Sequence, residues 1–197
     1  MAKIYFRYGA MNCGKTTALL QVAHNYEEQN MHVLLIKPSV DKKAGLKVSS
    51  RIGIERTVDI LLTPQETIKE NILSGKIDLP KLNAILVDEA QFLTKKQVEE
   101  LWVISKLCDI TVICYGLKTN FKGELFEGSK ALLEKSDKLE ESSTICKCGS
   151  KAKFNARIEN NQYVLEGKEV AIDGIDTKYE SLCGKCYMQK VLRTEKY

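Results

Sequence analysis

Apolar and polar positions repeat with two different periods along the first two thirds of the chain. Lys3–Tyr8 is rich in β-formers and predicts a first strand. Lys15–Gln29 predicts a helix: Ala18, Leu19, Val22, Ala23 and Tyr26 fall at helical spacing, with Glu27 and Glu28 on the opposite side. His32–Ile36 predicts a second strand of the buried type, closed by Lys37-Pro38. Ser39–Arg56 has no clear period and carries Lys42, Lys43, Lys47, Arg51 and Arg56, so a mobile basic loop is expected there. Pro64–Leu73 predicts a helix with Thr63 as N-cap. Asn83–Val87 predicts a third strand, and Ile110–Tyr115 a fourth. Between them Thr94–Lys106 predicts a helix capped by Thr94 that buries Val98, Leu101 and Trp102.

Strands alternating with helices, each strand nearly all apolar, predict an α/β fold: a parallel sheet covered by helices on both faces. Ligands of such sheets bind beyond the carboxyl ends of the strands. Gly9–Thr16, Asp88–Gln91 and Gly116–Phe121 all follow strands, so they should converge on one edge. After Leu133 the character changes. Glu134–Ser143 is charged and polar, a linker or an edge, and a boundary is expected near residue 143. That divides the chain into 1–143 and a smaller unit, 144–197.

Composition adds limits. The 197 residues support one domain with a small appendage, and 44 % hydrophobic with 28 % charged residues is ordinary for a globular chain. A net charge of +4 suits a polyphosphate ligand as well as a nucleic acid, and no nucleic-acid partner is expected. Met1 to Tyr8 is too short for a signal sequence, and no apolar run approaches the ~20 residues of a membrane span. Seven cysteines, four of them in two close pairs, suggest a metal site in a reducing, cytoplasmic compartment.

Three motifs carry chemistry. Gly9-Ala-Met-Asn-Cys-Gly-Lys-Thr16 is a G-x-x-x-x-G-K-T phosphate loop between a strand and a helix, and it assigns the sheet to the P-loop NTPase (RecA-like) class. Its glycines let the backbone curl around a polyphosphate, with the amides of Asn12 to Thr16 pointing inward. The helix start adds a positive dipole end. Lys15 should reach the β and γ phosphates and Thr16 should hold magnesium. Cys13 reads as a small filler within the loop.

Asp88 ends an apolar strand, the Walker-B arrangement, and is the second magnesium residue. Glu89 follows and is free to act as general base, on a water or on a substrate hydroxyl. Cys146-Lys-Cys148 and Cys183-Gly-Lys-Cys186 offer four thiolates for a closed, structural zinc site. The 34 residues between Cys148 and Cys183 exceed the roughly 15–20 of simple four-cysteine sites, which suggests a tethered, functional loop.

In this order and over about residues 3–190, the motifs resemble the type II thymidine kinase family. The phosphate loop carries Met11 and Asp88-Glu89-Ala-Gln91-Phe92 matches D-E-x-Q-F. Gly116-Leu117-Lys-Thr-Asn-Phe121 precedes Leu125-Phe126-Glu-Gly128, and the cysteine pairs enclose a lasso-like loop ending Tyr179-Glu-Ser-Leu-Cys183. The resemblance implies ATP-dependent phosphorylation of the thymidine 5′-hydroxyl by a homotetramer, with Glu89 as base and Lys15 catalytic. It implies an ATP site of Gly9, Ala10, Met11, Asn12, Cys13, Gly14, Lys15, Thr16, Asp88 and Gln91. It implies a thymidine pocket of Met11, Phe92, Leu117, Phe121, Ile172 and Tyr179. The chain departs from the family at Asp173-Gly174, where Gly-Gly is usual, at Asp41-Lys-Lys43, where Asp-x-Arg is usual, and in its C-x-C pair. The alternative is a fragment of a motor-type ATPase or helicase, with Glu89 activating water. A helicase core needs two such domains, and 197 residues hold one. A zinc-ribbon nucleic-acid adaptor is a third reading, but acids balance bases between the cysteine pairs.

Overall fold

The structure, a computed structural model, describes residues 1–39, 46–50, 52–167 and 177–193. In chain order it builds β1 (Ile4–Tyr8), α1 (Lys15–Glu28), β2 (Val33–Pro38), β3 (Lys47–Ser49), β4 (Glu55–Thr57), β5 (Ile60–Leu62), α2 (Ile68–Leu73) and β6 (Ala84–Val87). Next come α3 (Lys95–Leu107), β7 (Thr111–Gly116), α4 (Glu127–Lys135) and β8 (Lys138–Glu141). The C-terminal part holds β9 (Thr144–Ile145), β10 (Lys151–Ala152), β11 (Phe154–Glu159), β12 (Gln162–Val164), β13 (Thr177–Leu182) and α5 (Gly184–Lys190).

Six strands form one parallel sheet in the order β5-β2-β6-β7-β1-β8. Successive strand residues point to opposite faces, and both faces are apolar. Ile4, Phe6, Leu34, Ile36, Ile85 and Val87 pack on one side with Val98 and Leu101 of α3 and Leu132 of α4. Leu35, Leu86 and Ile113 pack on the other with Leu19, Leu20 and Ala23 of α1. The α/β fold with helices on both faces is as the sequence predicts. A smaller third core joins Cys146, Ala152, Ala156, Leu182, Cys183 and Tyr187 under the antiparallel β12-β11-β13 sheet.

Three local expectations are corrected. The helix expected from Pro64 starts at Ile68, capped by Thr67 rather than Thr63. Two T-x-x-E boxes follow each other. Thr63 and Glu66 close a separate turn through bonds of 2.8 and 2.9 Å, and Gln97 fixes it by donating to the carbonyls of both residues. Only the second box, Thr67 with Glu70, opens a helix.

Trp102 lies off the buried stripe of Val98, Leu101 and Ile104. It is 37 % exposed, with Lys135 Nζ over its ring.

The expected basic loop contains the β3–β4 antiparallel hairpin, anchored by buried Val48 and a Lys47–Glu55 ion pair. Its Arg56 is paired with Glu27 at 2.7 Å. Asp41, Lys42, Lys43 and Arg51 lie outside the described residues.

The polar stretch after Leu133 includes an edge strand, β8, in parallel register with β1. Ion pairs rather than apolar burial hold it: Glu140 with Arg7, Glu141 with Lys151, and Asp137 just before it with Lys106.

Candidate active site

The strand order sets β7 between β1 and β6, so three strand ends deliver three motifs to one place. Beyond β1 the phosphate loop turns through Asn12 (φ 64°) and Gly14 (φ 79°) before α1 begins at Lys15. Asn12 occupies a left-handed conformation that disfavours most side chains and suits Asn. At Gly9 a Cβ would lie 2.4 Å from the Ser142 carbonyl oxygen, so the close crossing of the chain after β8 requires glycine there. The Lys15 ammonium lies across the loop and donates to the Ala10 carbonyl at 2.9 Å.

A cavity of about 390 Å³ opens at this edge. Met11, Asn12, Cys13, Gly14, Lys15 and Thr16 line it with Glu89 and Leu117. The glutamate and the phosphate loop therefore face one volume. Ser49 and Ile52 of the β3–β4 hairpin also line it. Sequence reasoning missed these two, because a three-residue strand pair carries no readable period.

Asp88, directly after β6, is 5 % exposed and its carboxyl is pushed up to about 7. Burial is the main cause and the neighbouring Glu89 carboxylate the second, opposed by Lys37 and Lys15. Glu89 has left-handed backbone (φ 52°, ψ 38°), which redirects the chain into the 3-10 turn Ala90–Phe92. Gln91 is 2 % exposed and donates from Nε2 to Glu89 Oε2 at 2.5 Å. Its Oε1 accepts the Leu117 amide at 2.9 Å. Gln91, expected at the nucleotide, thus has both ends of its amide committed to the frame around Glu89. Ser129 of α4 continues that frame by donating to the Leu117 carbonyl at 2.6 Å.

Of the residues expected around a nucleoside, Met11 and Leu117 share the cavity with Glu89. Phe92 packs edge-on against Phe126. Phe121 is 2 % exposed, lies under the Arg157 guanidinium and accepts a bond at its carbonyl from the Tyr187 hydroxyl. Tyr179 pairs with Arg157 across β11 and β13. Ile172, Asp173 and Gly174 lie outside the described residues.

The sulfurs of Cys146, Cys148, Cys183 and Cys186 all lie within 4.8 Å of one another. A tetrahedral zinc with bonds of about 2.3 Å needs sulfurs about 3.8 Å apart, so the set is compatible with structural zinc. Gly149 (φ 86°) makes the tight turn after the first pair, and Cys183 caps α5 through the Cys186 amide. Hydrogen bonds from Ser150, its backbone first, hold the Cys148 thiol down at about 6. The amides of Cys148 and Cys183 lower Cys146 as well.

The thymidine kinase family model matches residues 2–187, nearly the whole chain. The chain belongs to the thymidine kinase family. Thymidine kinase of Shewanella oneidensis is 44 % identical over 191 residues, covering 96 % of this chain and 98 % of that one. The Mannheimia succiniciproducens thymidine kinase is 45 % identical over 192 residues, covering 96 % and 97 %. That of Vibrio cholerae is 44 % identical over 195 residues, covering 98 % and 100 %. Membership makes this chain a phosphotransferase of a family that uses ATP. Among the described residues no helix is long and apolar enough to cross a membrane.

Proposed function

We propose that this protein transfers the γ-phosphoryl group of ATP to the 5′-hydroxyl of thymidine, giving dTMP, and that it accepts deoxyuridine too. What carries the reading is that Glu89 lines the same cavity as Lys15 and Thr16 in a chain of the thymidine kinase family. Glu89 takes the proton of the 5′-hydroxyl as its oxygen attacks the γ-phosphorus, and ADP leaves. Gln91 aims the base. The amides from Asn12 to Thr16, the start of α1 and Lys15 hold the phosphates. Thr16 and Asp88 are hard oxygen donors suited to magnesium, which when bound neutralises phosphate charge. Met11 and Leu117 wall the nucleoside beside the base, with Phe92, Phe121, Ile172 and Tyr179 completing the pocket.

The four cysteines hold a structural zinc. The chain works as a cytoplasmic homotetramer of two-unit protomers, 1–143 for the nucleotide and 144–197 for the metal and lasso. Family membership leaves the motor-type ATPase reading without support. Purified protein given magnesium ATP and thymidine should form dTMP, with no stimulation of hydrolysis by single-stranded DNA. DNA-stimulated hydrolysis indifferent to thymidine would overturn the proposal.

A further inference from the structure

Asn155 of β11 and Ser181 of β13 are direct partners across the antiparallel pair. Directly opposed side chains stand close together on one face of a sheet. Both of these reach into the phosphate loop and grasp the same residue. Asn155 Oδ1 accepts the Met11 amide at 2.7 Å, and Ser181 Oγ donates to the Met11 carbonyl at 2.8 Å. Asn155 is only 4 % exposed, so its bond is shielded from water. The Thr144 hydroxyl adds a 3.4 Å contact to the next carbonyl, Asn12.

The peptide units on either side of Met11 are therefore fixed from outside the loop, by a sheet 144 to 170 residues further along the chain. They lead directly into Asn12, whose left-handed backbone (φ 64°) begins the turn that points amides inward. The clamp is backed by local packing. Ser181 lies two residues before Cys183, and Leu182 and Cys183 belong to the same small core as Ala156, the neighbour of Asn155.

We propose that Asn155 and Ser181 are positioning residues for phosphoryl transfer, acting through Met11 to hold the phosphate loop in its nucleotide-binding curvature. This rests on the reading of the loop as the ATP site. Without the clamp the Met11 amide loses its buried acceptor, and the loop samples conformations in which its donors do not converge.

The test is titration of ADP into the purified full-length protein by calorimetry, which needs no phosphoryl transfer to be observed. Asn155→Leu keeps the size and removes the acceptor; Ser181→Ala removes the donor; Ser181→Thr keeps a hydroxyl. The first two should each weaken ADP about tenfold, the cost of one well-made buried hydrogen bond. Ser181→Thr should restore affinity to within about twofold. Because both bonds hold one residue, the double variant should lose less than the product of the two single losses. Melting temperature and zinc content are measured alongside. Unchanged ADP affinity in the Ser181→Ala protein, or equal losses in Ser181→Ala and Ser181→Thr, would overturn the proposal. Should Asn155→Leu fail to fold, the Ser181 pair decides alone. A wild-type protein that binds ADP but ignores thymidine would defeat the functional reading and leave the clamp test intact.

Discussion

Gln91 and Glu89, two residues apart, are joined side chain to side chain, the amide Nε2 donating to the carboxylate Oε2 at 2.5 Å. The other end of the same amide takes the Leu117 N–H. One buried glutamine thus ties the end of β6 to the end of β7 and sets the direction of the carboxylate that faces the phosphate loop.

Replacing Gln91 by Leu should misdirect Glu89 without removing it. A hydrogen bond to a charged group is worth about 1.5–3 kcal/mol, so kcat should fall roughly 10–100-fold. ADP affinity should stay within about threefold, because Gln91 is not among the residues lining the cavity. Steady-state kinetics with calorimetric ADP binding checks both, and an unchanged kcat would remove Gln91 from the frame of the base.

The crossing of α4 behind this frame depends on Gly128. A Cβ there would lie 2.6 Å from the carbonyl oxygens of both Ala90 and Leu93. These are backbone atoms and cannot turn aside. Gly128→Ala should cost about 1–3 kcal/mol, the usual range for overpacking. That is a fall of several degrees in melting temperature for a chain of this size, readable by calorimetry. A melting temperature equal to wild type would show that α4 does not press on the turn.

Asp88 titrates near neutrality, pushed up to about 7 by burial first and Glu89 second. For a carboxyl whose folded pKa is raised, the stability contribution is fully present below its unfolded value near 4 and is lost as pH rises through about 7. The ligand-free Asp88→Asn protein should therefore gain stability over wild type above pH 7 and not at pH 4, measured by urea unfolding across pH. Magnesium needs the carboxylate form, so magnesium-nucleotide affinity of the wild type should rise through the same window, with proton release. A flat difference in stability between pH 4 and pH 8 would remove this assignment.

The four-cysteine cluster should hold about one metal ion per chain, the stoichiometry of a closed four-sulfur site. Cys183 supplies a sulfur and caps α5. Cys183→Ser should lose the metal and loosen the small core around Leu182 and Tyr187. Elemental analysis and near-ultraviolet circular dichroism read this out. Retention of zinc with an unaltered spectrum would contradict it.

What was legible in the sequence was local or doubly buried. The phosphate loop and Asp88-Glu89 announce themselves because their chemistry needs adjacent residues, and the sheet because β1, β2, β6 and β7 are apolar on both faces. The edge strand β8 and the β3–β4 hairpin carry no such pattern, being held by ion pairs such as Arg7–Glu140 and Lys47–Glu55. Thr63 and Thr67 offer the same T-x-x-E box, and tertiary contacts distinguish them: Gln97 holds the turn, and Glu100 accepts the Ile68 amide at the helix start. The grip of Asn155 and Ser181 on Met11 was invisible for a simpler reason. It joins residues 144 and 170 positions apart, and nothing near either end signals the other.

The most direct measurement of the whole scheme is thymidine phosphorylation by Glu89→Gln. The amide keeps the size of the side chain and cannot accept the hydroxyl proton as a base. With magnesium ATP and thymidine, dTMP formation should fall by at least ~10²-fold while ADP binding persists. Turnover near the wild-type rate would contradict the assignment of Glu89 as the base.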